Sequence, residues 1–188
     1  YTQKMTFTAI DFETAHADFP CEIGICCVED GIITRTESYL IKPACFPYMN
    51  PWNERVHGIT AADVASAPFF DEVWSQLKPY FDDTLLVAHN AAFDMKVLRS
   101  ALQYYDLAVP YSDYFCSVAL SRKTWKNLSS HSLGVLCDYH DIRFQHHRAG
   151  EDARACAIVT LKAFEHHGIQ DAQQLTDAGI KIKSLRNN

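Results

Sequence analysis

The order of strand-like and helix-like segments constrains the fold of this chain more than any other feature of its sequence. Thr6-Phe7-Thr8-Ala9-Ile10-Asp11-Phe12 alternates and is rich in β-formers. Glu22 to Val28 and Ile32 to Ile41 follow on either side of Glu29-Asp30-Gly31 and predict a hairpin. The stretch from Pro43 to Pro51, broken by prolines and aromatics, suits an irregular connection. Beyond it the pattern changes. Phe70, Val73, Trp74, Leu77 and Phe81 recur at helical spacing behind Pro68, with Asp71 and Glu72 in the first turn. Leu85 to Ala88 is a short apolar run suited to a buried strand, and a helix with the stripe Val97, Leu98, Ala101, Leu102 and Tyr105 follows at once. A strand or short helix is expected near Tyr114 to Leu120, a helix near Ser132 to Tyr139, and a long helix from about Gly150 to Phe164 closed by Gly168. Strands first and alternation afterwards predict an α/β fold around one mixed sheet.

Size and composition narrow the function. With 188 residues, 48% of them hydrophobic, the chain can close one substantial core, so residues 1–168 are read as one domain and 169–188 as a tail or docked helix. No apolar run approaches the roughly 20 residues that span a bilayer, so a soluble, cytoplasmic protein without membrane partners is expected. The sequence opens at Tyr1 rather than methionine, which leaves a preceding targeting segment open. Its seven cysteines include no Cys-x-x-Cys pair and cannot all pair internally, which fits reduced thiols. Cys26 and Cys27 should point to opposite faces of one strand as small buried hydrophobes. A net charge of −6 argues against coating nucleic acid by charge alone, but not against an enzyme that gathers carboxylates around cations.

Asp11-Phe12-Glu13 sets two carboxylates at i and i+2 on an apolar strand, so both leave one face while Phe12 takes the other. Such a pair repels unless a divalent cation compensates. Alone, it is better read as two solvent-facing acids beyond a strand that ends at Ile10. It has company. Asp94 lies in the first turn of its helix on the same side as Leu98, Ala101 and Tyr105, and Asp152 opens the last long helix on the side of Cys156, Val159 and Ala163. Dipole and capping effects, worth about 0.3–1 kcal/mol, could account for either acid by itself. His147 is five residues before Asp152, a rotation of about 140° on a helix, so it must precede that helix in a loop where Gly150 gives freedom to swing. There a histidine titrating near neutrality can act as general base; His146 and His147 taken alone would be surface residues.

Together these residues resemble a known family. Asp11-Phe12-Glu13, the stretch Ala88-His89-Asn90-Ala91-Ala92-Phe93-Asp94, and His147-Arg148-Ala149-Gly150-Glu151-Asp152-Ala153 are similar to the three motifs of DEDD 3′→5′ exonucleases. The histidine five residues before the last aspartate matches the DEDDh subgroup of the DnaQ-like branch, typified by the ε proofreading subunit of bacterial DNA polymerase III. Val56-His57-Gly58-Ile59-Thr60 looks like a further segment of that branch, and the resemblance runs from about Thr6 to Ala163.

The resemblance implies an RNase H-like fold with a mixed five-stranded sheet flanked by helices. It implies two Mg²⁺ or Mn²⁺ ions on Asp11, Glu13, Asp94 and Asp152, with Asp11 bridging, and His147 deprotonating the attacking water. Phe12, Thr14, His57, Asn90 and Phe93 would line the substrate site, with Thr14 near the 3′ terminus. Phe93 reads equally as core, and Asn90 as a helix cap. The implied partners are the 3′ end of single-stranded DNA, or of RNA for an exoribonuclease of the same chemistry, and a replicative DNA polymerase subunit. An idle nucleic-acid-binding module is disfavoured by the intact acids, and a structural Ca²⁺ site by the scatter of the ligands over distant segments. Residues 15–20 carry no decipherable role.

Overall fold

A computed structural model describes residues 2–187; Tyr1 and Asn188 lie outside the described residues. Strands β1 (Phe7–His16), β2 (Phe19–Glu29) and β3 (Ile32–Leu40) form an antiparallel meander. The β2–β3 turn uses Asp30 at φ 51° and Gly31 at φ 76°, the left-handed pair that matches a two-residue loop to the twist of its strands. β1 runs four residues past Phe12, the last residue of the predicted strand. Register shifts between Glu13 and Thr14 and between Thr14 and His16 let it bend and stay paired with β2.

Within and after the proline-rich connection lie two short helices that the sequence reading leaves out, α1 (Pro51–His57) and α2 (Ala61–Val64). α1 has its own start and stop signals. The Asn50 side chain accepts from the backbone N–H groups of Trp52 and Asn53, Pro51 sits at the first helical position, and Gly58 closes the helix at φ 73°. Helix α3 (Phe70–Leu77) follows, then β4 (Leu86–Ala88) and α4 (Ala91–Tyr104). The stretch near Tyr114 is both strand and helix, β5 (Asp113–Cys116) running straight into α5 (Ser117–Thr124). Ser132 caps α6 (Leu133–Tyr139), and α7 (Ala149–His167) ends at Gly168 in the left-handed region. The chain closes with α8 (Ala172–Asp177) and β6 (Lys183–Ser184).

The sheet has the order β3-β2-β1-β4-β5-β6, with β1–β4 and β4–β5 parallel and the remaining pairs antiparallel. It is mixed, as expected, but has six strands among the described residues rather than five. The extra one is β6, whose Ser184 and Lys183 pair with Asp113 and Tyr114 on the free edge of β5. Ile169, Leu175 and Ile180 are buried on the way to it, and Leu185 just beyond it.

Both faces of the sheet are covered. One buries Ile10, Phe12, Ile23, Ile25 and Cys27 with side chains of α3 and α4, and the other buries Phe7, Ala9, Cys26 and Val28 with side chains of α5 and α7. Cys26 and Cys27 thus divide between the faces, and all seven cysteines are free thiols. Among the described residues no helix is long and apolar enough to cross a membrane. Phe7, Ala9, Asp11 and Glu13 form one row of β1, so the apolar surface under α7 becomes acidic toward the end of the strand.

Candidate active site

The acidic end of β1 faces the N-terminal turn of α7. Carboxylate oxygens of Asp11, Glu13 and Asp152 lie within 4.8 Å of one another. β4 stops at Ala88, level with the middle of β1, and the chain then turns into α4. That leaves the Phe12 N–H, between the two acids, without a strand neighbour, and Asp94 takes it with Oδ1 at 2.9 Å. Asp94 is 2% exposed. It therefore joins the group as a buried acid pinned to the backbone of β1, outside the tight three-carboxylate set.

α7 can come this close because β2 carries Gly24 opposite Asp11. A Cβ at Gly24 would lie 2.0 Å from the carbonyl carbon of Ala149, so any side chain would push the helix start away. Glu22, paired across the sheet with Glu13, accepts a 2.8 Å hydrogen bond from the Ala149 N–H and fixes the same turn. Sequence reasoning missed Glu22, although an acid inside an otherwise apolar strand, two residues from a glycine, was the available signal. Gly150 also differs from expectation. It lies inside α7, where its N–H donates to Ser38 Oγ at 2.8 Å and an added Cβ would meet that oxygen at 2.2 Å, so it serves close packing rather than loop freedom.

His147 precedes α7 as anticipated, in a turn where it adopts φ 65°. Its backbone N–H donates to Asp152 Oδ2 at 3.1 Å. The ring of His146 is stacked on that of His147 at 3.7 Å between centroids, and His146 Nδ1 is 3.0 Å from Asp152 Oδ1. His146, read from sequence as a surface neighbour, is thus in direct contact with the acid.

The remaining predicted residues divide. Asn90 lines the cleft; it sits at the N-cap of α4 in the left-handed region and its side chain makes no capping bond. Phe93 is 42% exposed and so is not core. The Phe12 ring is buried on the opposite face of the sheet, leaving only its backbone toward the acids. His57 is buried with both ring nitrogens engaged: Nδ1 accepts from the Ile59 N–H at 3.0 Å, so Nε2 donates to the Thr14 carbonyl at 2.9 Å. The Asn53 amide donates to the Thr14 carbonyl and hydroxyl at 3.1 and 3.2 Å. α1 thereby clamps the bent end of β1, and Thr14 and His57 act as its anchor points.

The cleft measures about 860 Å³ and is bounded on its far side by Arg122, Ser129, Ser130 and His131. His89 stiffens that wall, with Nε2 2.7 Å from the His131 carbonyl and Nδ1 2.7 Å from Ser117 Oγ. Burial holds the His89 imidazole below its usual pKa, so it bridges as a neutral ring.

Electrostatically the site is far from neutral balance. Burial and then its neighbours Asp94, Glu13 and Asp152 push the Asp11 carboxyl well above the carboxylate range. Burial, Asp152 and Glu22 raise Glu13 to about 8. Burial raises Asp94 and, against the pull of His146, Asp152 as well. Asp11 Oδ2 is buried and has no hydrogen-bond partner among the described residues. A buried, unsatisfied carboxylate oxygen amid three more acids is costly unless a cation fills the space, so the donor set fits a divalent metal.

The chain spans only part of the curated relatives it matches, from 11% to 28% of their length. It is 28% identical to the PolC-type DNA polymerase III of Caldanaerobacter subterraneus over 97% of its own length and 13% of that protein. Among solved structures, an exonuclease X in complex with 5′-overhanging duplex DNA shares 27% identity at a TM-score of 0.74, with 92% of this chain and 98% of that one covered. The nuclease domain of 3′hExo, described as a DEDDh family member and bound to rAMP, has the same fold at 16% identity and a TM-score of 0.75, over 96% and 98% of the two chains. The exonuclease family model known as RNase_T matches residues 8–160, a stretch that includes the three carboxylates of β1 and α7, the acid of α4 and the histidine turn. The fold, the grouped acids and that match agree, and this chain belongs to the RNase_T exonuclease family.

Proposed function

We propose that this chain is a metal-dependent 3′→5′ exonuclease that trims single-stranded DNA and releases nucleoside 5′-monophosphates. The observation that carries the reading is the convergence of Asp11, Glu13 and Asp152, together with a buried Asp11 oxygen that has no hydrogen-bond partner among the described residues. These three, with Asp94 beside them, would hold two ions of the Mg²⁺ or Mn²⁺ kind, since purely carboxylate donors suit hard cations. Held there, such ions would supply Lewis acidity toward a water and positive charge opposite the phosphodiester.

The chain's own groups do the rest. His147, its pKa lowered by burial and by His146, is a neutral imidazole near pH 7 and accepts the proton of the attacking water. The water oxygen bonds to phosphorus, the bond to the leaving 3′ oxygen breaks, and the phosphate departs on the terminal nucleoside. Asn90 at the cleft wall and the exposed ring of Phe93 contact the terminal nucleotides, with stacking on Phe93 worth about 1–3 kcal/mol. Thr14, clamped by α1, orients the 3′ end. The relation to PolC-type polymerases supports a role beside a replicative polymerase.

A time course on 5′-labelled single strands of DNA and RNA, with Mg²⁺, with Mn²⁺ and with EDTA, tests the proposal. A ladder shortening from the 3′ end of DNA and stopped by EDTA is expected. Internal cuts, or digestion indifferent to EDTA, would overturn it, and faster trimming of RNA would reassign the substrate.

A further inference from the structure

Asp152 belongs to a second group of donors. His146, His147 and Asp152 also bring ligand atoms within 4.8 Å of one another, and this set is chemically unlike the first. Imidazole nitrogens suit zinc, copper and nickel, whereas carboxylates suit Mg²⁺ and Mn²⁺. The arrangement depends on the backbone. The left-handed turn at His147 brings two consecutive rings face to face, 27° from parallel, with His146 Nδ1 already 3.0 Å from Asp152 Oδ1. With His147 alone the group would have two donors; His146 supplies the third and leaves a fourth position for water.

We propose that His146, His147 and Asp152 form a second cation site, selective for borderline transition ions such as Zn²⁺, whose filling silences the nuclease. The silencing rests on the function proposed above. An ion in this site withdraws Asp152 from Asp11 and Glu13 and occupies the nitrogen that His147 needs to accept a proton. The two sites share one carboxylate, so they compete.

Zn²⁺ binding to the full chain in a large excess of Mg²⁺ is expected to show one tight equivalent. His146→Ala should weaken it at least about 10- to 100-fold, the loss that even an outer-shell partner causes. His146→Cys, which returns a soft donor, should restore it. Co²⁺ as an optical probe should give visible bands with the wild type, lose them with His146→Ala and regain them with His146→Cys, while an unchanged melting temperature of His146→Ala separates loss of a ligand from loss of the fold. In the Mg²⁺ assay, inhibition by Zn²⁺, scored against each variant's own zinc-free rate, should shift by the same factor and be relieved by added Mg²⁺. Equal zinc affinity in wild type and His146→Ala overturns the proposal, as does bound zinc that leaves hydrolysis untouched. A chain that binds zinc through His146 but hydrolyses nothing in Mg²⁺ keeps the site and sinks the nuclease reading instead.

Discussion

The two walls that meet at Asp152 are built by different means. The acidic wall is sheet and helix: Asp11 and Glu13 are fixed by pairing with Gly24 and Glu22, and Asp94 is tied to the Phe12 N–H. The histidine wall is a turn, with His146 exposed and His147 at positive φ, held mainly through Asp152. The first stores unfavourable charge in a rigid frame, and the second offers titratable nitrogens on a segment with little packing. Ion binding should therefore follow the frame, and proton transfer the turn.

The sharpest way to break this comparison is Asp11→Asn. It should abolish hydrolysis while stabilising the metal-free protein by about 1–3 kcal/mol, because a buried acid without partners is replaced by a neutral amide. Thermal unfolding with and without Mg²⁺ checks it: the variant should melt higher than the wild type when metal-free and respond less to the ion. His147→Ala should do the reverse, lowering kcat about 10²- to 10⁴-fold with almost no change in melting temperature. The wild-type rate should rise with pH through a value below the ordinary histidine pKa of 6.5, and the variant should lose that limb.

Gly24→Ala would join the two walls in one defect. The new methyl collides with the Ala149 carbonyl, so about 1–3 kcal/mol of stability and up to about 10²-fold of rate should go together through displacement of Asp152. The smallest effect on rate accompanies a dependence of stability on pH. Glu13 moves from an ordinary 4.5 when unfolded to about 8 when folded, so the folded state holds a proton that the unfolded chain gives up in this window. Stability of the metal-free protein is then fullest below about pH 4.5 and declines as pH rises toward 8, a fall in Tm that saturating Mg²⁺ should cancel. A flat profile without metal would mean that the acids are solvated after all.

What the sequence revealed, it revealed through local periodicity. Asp11 and Glu13 share a face because strands repeat every two residues, and Asp94 and Asp152 point inward because their helical partners are apolar. His147 had to precede its helix because five residues turn too far. What stayed hidden depends on pairing between distant segments. Glu22 matters only because register sets it opposite Glu13 and beneath Ala149, β6 exists only because β5 has a free edge, and His57 holds the backbone of β1 through a contact 43 residues away in sequence. Gly150 misled because a glycine needed for contact and one needed for bending are the same letter.

The row Phe7, Ala9, Asp11, Glu13 has one last consequence. A slip of β1 by a single residue would turn Ile10 and Phe12 out of their hydrocarbon bed and drive two carboxylates into it. Misalignment is thus penalised by the same side chains that equip the molecule for work, and a shifted but well-folded impostor has no stable form. The alignment of this strand inspects itself each time the chain folds.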